Sequence, residues 1–163
     1  MHKALTLVVV LLCFLQGRAQ QESHRRSLLA RPATAPITID GKLDEESWAI
    51  ADRATQFWQN FPYDTSLAFV ETIVRVTYDK DFIYVSSVCY DNAPDQPFVI
   101  SSLRRDYTSP SDLFEVTIDP FQDRLNGFAF GLNPYGVQRE GLISFGSDID
   151  WGWDNKWYSK VTR

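Results

Sequence analysis

The chain of 163 residues carries 16 Lys and Arg against 21 Asp and Glu, a formal net charge of −5. That acidic balance excludes the basic footprint expected of a protein that binds nucleic acid or anionic lipid. The two histidines are His2 and His24 and the two cysteines Cys13 and Cys89, all but Cys89 near the N-terminus, which excludes a His/Cys zinc site and a histidine-based catalytic triad.

Residues 1–19 read as a secretory signal peptide. A basic start at Lys3 is followed by an unbroken apolar run over residues 4–15, then by Gly17 and Ala19 at the −3 and −1 positions of a cleavage site. A membrane-spanning helix needs roughly 20 apolar residues, so this run is too short. Cleavage leaves 144 residues with 14 basic and 21 acidic side chains, net charge −7. That length suits one domain with its own core. Cys89 then has no intrachain partner, so the fold must hold by packing. The expected location is beyond the inner membrane: periplasmic, outer-membrane-associated or extracellular.

Residues 20–35 are polar, then Pro- and Ala-containing, and read as a flexible leader to a domain over residues 36–163. A short strand is expected at 37–39, closed by an Asp40-Gly41 turn. Asp44 is placed to cap a helix over 45–51 with Trp48 on its inner side. Residues 70–78 alternate, with Val70, Val74, Val76 and Tyr78 on one face and Glu71, Arg75 and Thr77 on the other. A turn at 79–81 leads into a partner strand over 82–90. Residues 113–119 alternate too, Phe114, Val116 and Ile118 inward and Glu115, Thr117 and Asp119 outward. Further strands are expected over 127–132 and 137–145, around Asn133-Pro134-Tyr135-Gly136, and over 156–162. Short strands between turn signals predict an all-β chain, a β-sandwich of jelly-roll or immunoglobulin-like type with one short N-terminal helix, and a barrel as the second possibility. One shared core is expected from Phe114, Val116, Ile118, Val74, Val76 and Tyr84. The sequence ends inside the last strand, so the sandwich is expected to be incomplete at its C-terminus.

Five segments in order resemble one family. They are APITIDGKLDEESW, VRVTYDKDFIYVSSVCYDNAP, SDLFEVTIDPFQD, NGFAFGLNPYGVQREGLI and the ending WDNKW. Together they resemble family 9 carbohydrate-binding-module-like domains, in particular a secreted bacterial subgroup in which the domain precedes a predicted outer-membrane-like β-barrel. The resemblance implies a β-sandwich and, in sugar-binding members, a glycan-end pocket and structural calcium. Glu115 matches the carboxylate of the family's acidic strand. Three features depart from the pattern. Residues 106–111 hold no stacking tryptophan, the second sandwiching tryptophan would lie beyond Arg163, and the family's arginine on the next strand is replaced by Phe130, Gly131 and Leu132. Kinship of fold does not secure function.

Three of the five tryptophans lie in SDIDWGWDNKWYSK, residues 147–160. Trp48, Trp58 and Trp157 are read as core. Trp151 and Trp153 flank Gly152 among aspartates, and an i, i+2 spacing lets both indoles point one way from an extended loop, at least one of them exposed. With Asn155, Glu115 and Arg104 they form the candidate carbohydrate-binding set; a packing role for the indoles and a salt-bridged strand end at Arg104-Arg105-Asp106 are the alternatives. Asp148, Asp150 and Asp154 are the candidate ligands of a calcium ion, which takes six to eight oxygens; the alternative is aspartate in its ordinary turn role. Asp112, Glu115 and Asp119 alternate as a solvated strand face does, and no catalytic role is assigned to them. The expected function is carbohydrate binding by a non-catalytic secreted module within a larger protein of carbohydrate catabolism, with a poly- or oligosaccharide as partner. The alternative is an interaction module that packs on a following β-barrel of the same parent protein.

Overall fold

The computed structural model describes residues 26–93, 95–107 and 110–163, and the signal peptide expected over 1–19 lies outside the described residues. Among the described residues the chain is all-β: eight strands form two four-stranded sheets, with one five-residue helix. This is the sandwich class expected from the alternating pattern.

The first sheet is built around β3 (Thr72–Tyr78). Two shorter strands, β1 (Arg31–Pro32) and β2 (Arg53–Ala54), pair with it in parallel and antiparallel sense. Along its whole length it also pairs antiparallel with β4 (Ile83–Cys89), from Thr72↔Cys89 to Tyr78↔Ile83. Since β4 occupies one edge of β3, β1 and β2 lie end to end along the other. β1 falls within the stretch expected as leader. It is docked there by the Ala33 N–H on the Tyr78 carbonyl at 2.7 Å, by the Thr77 hydroxyl on the Arg31 carbonyl at 2.8 Å, and by the Arg31–Asp52 ion pair at 3.0 Å. The strand expected at 37–39 does not form. The Thr38 N–H instead bonds to the Glu45 carboxylate at 2.8 Å, so this extended segment has a side chain where a ladder partner would be. That contact also moves the helix start. The helix α1 is Glu46–Ile50 with Glu45, not Asp44, at its cap, and no side chain caps it. Trp48 is 4% exposed, as expected of an inward indole.

The inward face of β3 is the reverse of the expected one. Ile73 and Thr77 are buried, and the pairs Ile73↔Val88, Arg75↔Ser86 and Thr77↔Tyr84 share their side. Val74 and Val76 lie on the opposite face with Tyr78, Ile83 and Val85, and the last three are exposed. Tyr84 therefore does not share a core with Val74 and Val76. Polarity misleads here because Thr77 spends its hydroxyl on the Arg31 carbonyl, which makes its burial cheap.

The second sheet is an antiparallel meander of β5 (Phe114–Ile118), β6 (Gly127–Leu132), β7 (Gln138–Ser144) and β8 (Asp148–Asp150). Phe114, Val116 and Ile118 share a face with Leu132, Phe130 and Phe128, as the alternation predicts. The β6–β7 turn is set by Asn133, which is 1% exposed. Its side-chain oxygen accepts the N–H groups of Tyr135 at 2.9 Å and Val137 at 3.0 Å, and Gly136 takes the positive φ of 77° that closes the turn. The strand expected at 156–162 is absent; the fourth strand is β8, Asp148–Asp150, earlier in the chain. Residues 154–163 are held by side chains instead. Gln138 Nε2 donates to the Ser159 hydroxyl at 2.8 Å, and Trp157 packs on Phe130.

Candidate functional site

On one face of the second sheet, three strands place Glu115, Gly131 and Arg139 in a single cross-strand row. Arg139 reaches across the glycine and donates from Nε at 2.9 Å and Nη2 at 2.6 Å to one oxygen of Glu115. The missing side chain of Gly131 is what permits this. A Cβ there would sit 3.0 Å from Arg139 Cγ, 3.2 Å from its Nε and 3.0 Å from Leu113 Cδ1. Trp151 lies over the guanidinium at 4.4 Å, and the Tyr107 ring is 5.4 Å from it. Trp151 also rests on a second glycine, since a Cβ on Gly141 would meet its Cε3 at 3.0 Å. A planar, delocalised cation between two aromatic rings, fixed at one end by a carboxylate, is a rigid arrangement. Tyr107 is 4% exposed and its hydroxyl meets no partner among the described residues; burial pushes the phenol up, with Arg139 opposing.

The next residue of β7 serves the other face. Glu140 is fully buried, in the row Val116↔Phe130↔Glu140. Its carboxylate accepts from Arg105 Nη2, from the Trp157 indole N–H at 3.1 Å and from the Asn155 N–H at 3.3 Å. Arg105 also reaches Asp154 at 3.1 Å, the Asn155 carbonyl at 3.0 Å and Gln138 at 3.2 Å. Burial works hardest against ionisation of Glu140. The hydrogen bonds from Arg105, Trp157 and Asn155 outweigh it and hold the carboxyl below its ordinary value. Burial and the Glu140 charge together push Asp106 up. Outside this network lies a shallow, open hollow of about 400 Å³ lined by Arg105, Asp154, Asn155 and Lys156. Trp153 packs beside it on Phe128 at 5.1 Å and Phe130 at 6.3 Å.

The expected set is thus divided. Trp151 joins Glu115 on the Arg139 face, whereas Trp153 and Asn155 join the Glu140 face, because the chain turns at Gly152, whose N–H bonds to Asp150 at 2.9 Å. Both indoles are half-buried, so the expected exposed tryptophan of this loop is not there. Trp157, expected in the core, is half-buried like the other two, though its ring packs on Phe130 and its indole N–H bonds to Glu140. Trp58, expected in the core, is 51% exposed, its indole N–H donating to the Asp64 carbonyl. Arg104 is exposed, and its backbone N–H bonds to Ser102 Oγ at 3.0 Å; among the described residues its neighbour Arg105 holds the network. The calcium candidates are not gathered. Asp148 and Asp150 lie on β8, Asp154 pairs with Arg105, and among the described residues no group of three or more His, Cys, Asp or Glu side chains could hold a metal ion.

Arg139, Glu140 and Tyr107 were not singled out by pattern; Arg105 was, as part of the salt-bridged alternative at Arg104-Arg105-Asp106, and it does pair with Asp106, Glu140 and Asp154. One signal was present for Arg139: Gly131 sits inside a strand, where an isolated glycine marks a close approach. The arginine that pairs with Glu115 lies on β7, two strands across from β5. Comparison with protein-family models gives no match, and comparisons with curated proteins and with solved structures give none either.

Proposed function

We propose that the protein is a non-catalytic carbohydrate-binding module, exported and acting within a larger protein of carbohydrate catabolism, in keeping with its resemblance to family 9 carbohydrate-binding-module-like domains. The observation that carries the reading is Trp151 stacked on Arg139, with Arg139 locked to Glu115. A half-buried indole offers an apolar plane to the C–H face of a sugar ring. The fixed carboxylate and guanidinium offer an acceptor and donors to its hydroxyls. Because both are held before the ligand arrives, little side-chain entropy is lost on binding. The hollow at Arg105, Asp154 and Asn155 offers a second polar contact on the opposite face.

The test is retention of the exported protein on a panel of immobilised poly- and oligosaccharides. Trp151→Ala and Arg139→Ala should each lose retention of whichever glycan the parent holds, while Arg104→Ala should not. Retention that survives both substitutions, or no retention by the parent, would end this reading. The second reading, an interaction module packing on a neighbouring domain such as a following β-barrel, draws support from the exposed apolar side of β3 and β4, where Tyr78, Ile83 and Val85 lie together.

A further inference from the structure

The segment 57–69 is a short two-stranded arm. Trp58 and Leu67 bridge antiparallel, the Gln59 N–H bonds to the Ser66 carbonyl at 3.0 Å, and the Ala68 N–H bonds to the Phe57 carbonyl at 2.8 Å. Its rings point outward to an unusual degree. Phe61 is 85% exposed, Tyr63 71%, Phe69 87% and Trp58 51%. From Ala54 to Val70 the sequence holds a single charged residue, Asp64, in a chain that is 23% charged. We propose that this arm is an anchor that inserts its aromatic rings into the interfacial region of an uncharged lipid surface.

The chemistry favours lipid over a protein partner. Charged side chains are what make insertion most costly, and between Ala54 and Val70 only Asp64 is charged; the other polar side chains there, Thr55, Gln56, Gln59, Asn60, Thr65 and Ser66, are neutral. Tryptophan and tyrosine are the residues that settle at the headgroup level of a bilayer, with phenylalanine supplying apolar area below it. Insertion is costly when it strips water from charges or from unpaired backbone groups. Here the bridge pairs part of the backbone, and the Trp58 N–H is already bonded to the Asp64 carbonyl. The arm contains no Lys or Arg, and the chain is acidic, with a net charge of −5. Electrostatic attraction to anionic lipid therefore plays no part, and binding should not fall with salt.

The experiment is co-sedimentation of the exported form, its N-terminus verified by sequencing, with neutral phosphatidylcholine vesicles at low and high salt. The parent should partition onto the vesicles equally at both. The double variant Phe61→Ser/Phe69→Ser should lower partitioning by about tenfold per ring, with its melting curve and glycan retention unchanged because both rings are exposed. Brominated lipid should quench indole fluorescence in the parent, and Trp58→Phe should remove that quenching. Trp151→Ala, which tests the glycan reading, should leave vesicle binding intact. Three results would each overturn the anchor: no vesicle binding by the parent, binding confined to anionic vesicles and abolished by salt, or binding that survives the double variant. Self-association lost in the double variant without vesicle binding would assign the arm to a second copy of the chain instead.

Discussion

Removing the Arg105 side chain tests whether the Glu140 network organises the C-terminal segment. In Arg105→Ala, Glu140 stays fully buried and keeps two donors, Trp157 Nε1 at 3.1 Å and the Asn155 N–H at 3.3 Å. Breaking a buried ion pair from one side costs about 3–5 kcal/mol. Arg105 is itself 42% exposed, so water replaces part of what it provides. The expected loss is about 2 kcal/mol near neutral pH, a drop of roughly 1 M in the urea midpoint for a domain of this size. The pH dependence supplies the sharper check. In the parent, the depressed Glu140 pKa gives stability that is present above the unfolded carboxylate value and is lost as pH falls through the folded one. Without Arg105, burial dominates and raises the pKa, so the variant is penalised at neutral pH and relieved once Glu140 takes a proton. The gap between parent and variant should therefore be widest near pH 7 and narrow as pH falls into and below the ordinary carboxylate range. Urea titrations followed by tryptophan fluorescence at several pH values measure it. A gap that is absent near pH 7, or that does not narrow in acid, would show that the pair does not organise this segment.

Gly131→Ala should cost about 1–3 kcal/mol through overpacking, because its Cβ would meet Arg139 and Leu113 at 3.0 Å; it should also abolish any glycan retention that depends on the Arg139–Glu115 pair, and a neutral variant with full retention would contradict that geometry. Trp157→Ala should destabilise by about 3 kcal/mol and Trp153→Ala by about 2 kcal/mol, both read from thermal and urea unfolding, since each ring packs on Phe130; a Trp153→Ala variant as stable as the parent would return that ring to the role of free platform. Added calcium or a chelator should leave the melting temperature of the exported protein unchanged, because Asp154 already faces Arg105 and Asp150 accepts the Gly152 N–H; a rise with calcium, by mass action on a native-state site, would restore Asp148, Asp150 and Asp154 as ligands.

The all-β class and the strands β3 to β7 were legible because alternation and turn chemistry are local. The hairpin of β3 and β4, the acidic strand β5 and the Asn133 turn all carry their own signals over a few residues. What was not legible depended on partners far away in the chain. The inward face of β3 follows from Thr77 finding the Arg31 carbonyl, a contact across 46 positions. The end of the chain alternates as a strand would, yet Asn155, Trp157 and Ser159 meet the side chains of Glu140 and Gln138 rather than a backbone ladder. At the candidate site, Glu115 and Trp151 were visible as residue types. The cation between them was not, because Arg139 reaches Glu115 only through the gap above Gly131, on a neighbouring strand. The alternating tryptophans looked like a pair that shares a face, and the turn at Gly152 separates them.

Arg139 and Glu140 are adjacent in sequence, so the pleat of β7 sends them to opposite sides, each into its own ion pair. A slip of β7 by a single residue against β6 would exchange the two. The guanidinium would then confront Arg105 and the donating edge of Trp157, while the carboxylate would confront Glu115. Both encounters set like with like in partly dry surroundings, where repulsion is strong. The two neighbouring charges thus act as a proofreading device for strand alignment: correct pairing satisfies both, and the nearest mispairing violates both at once.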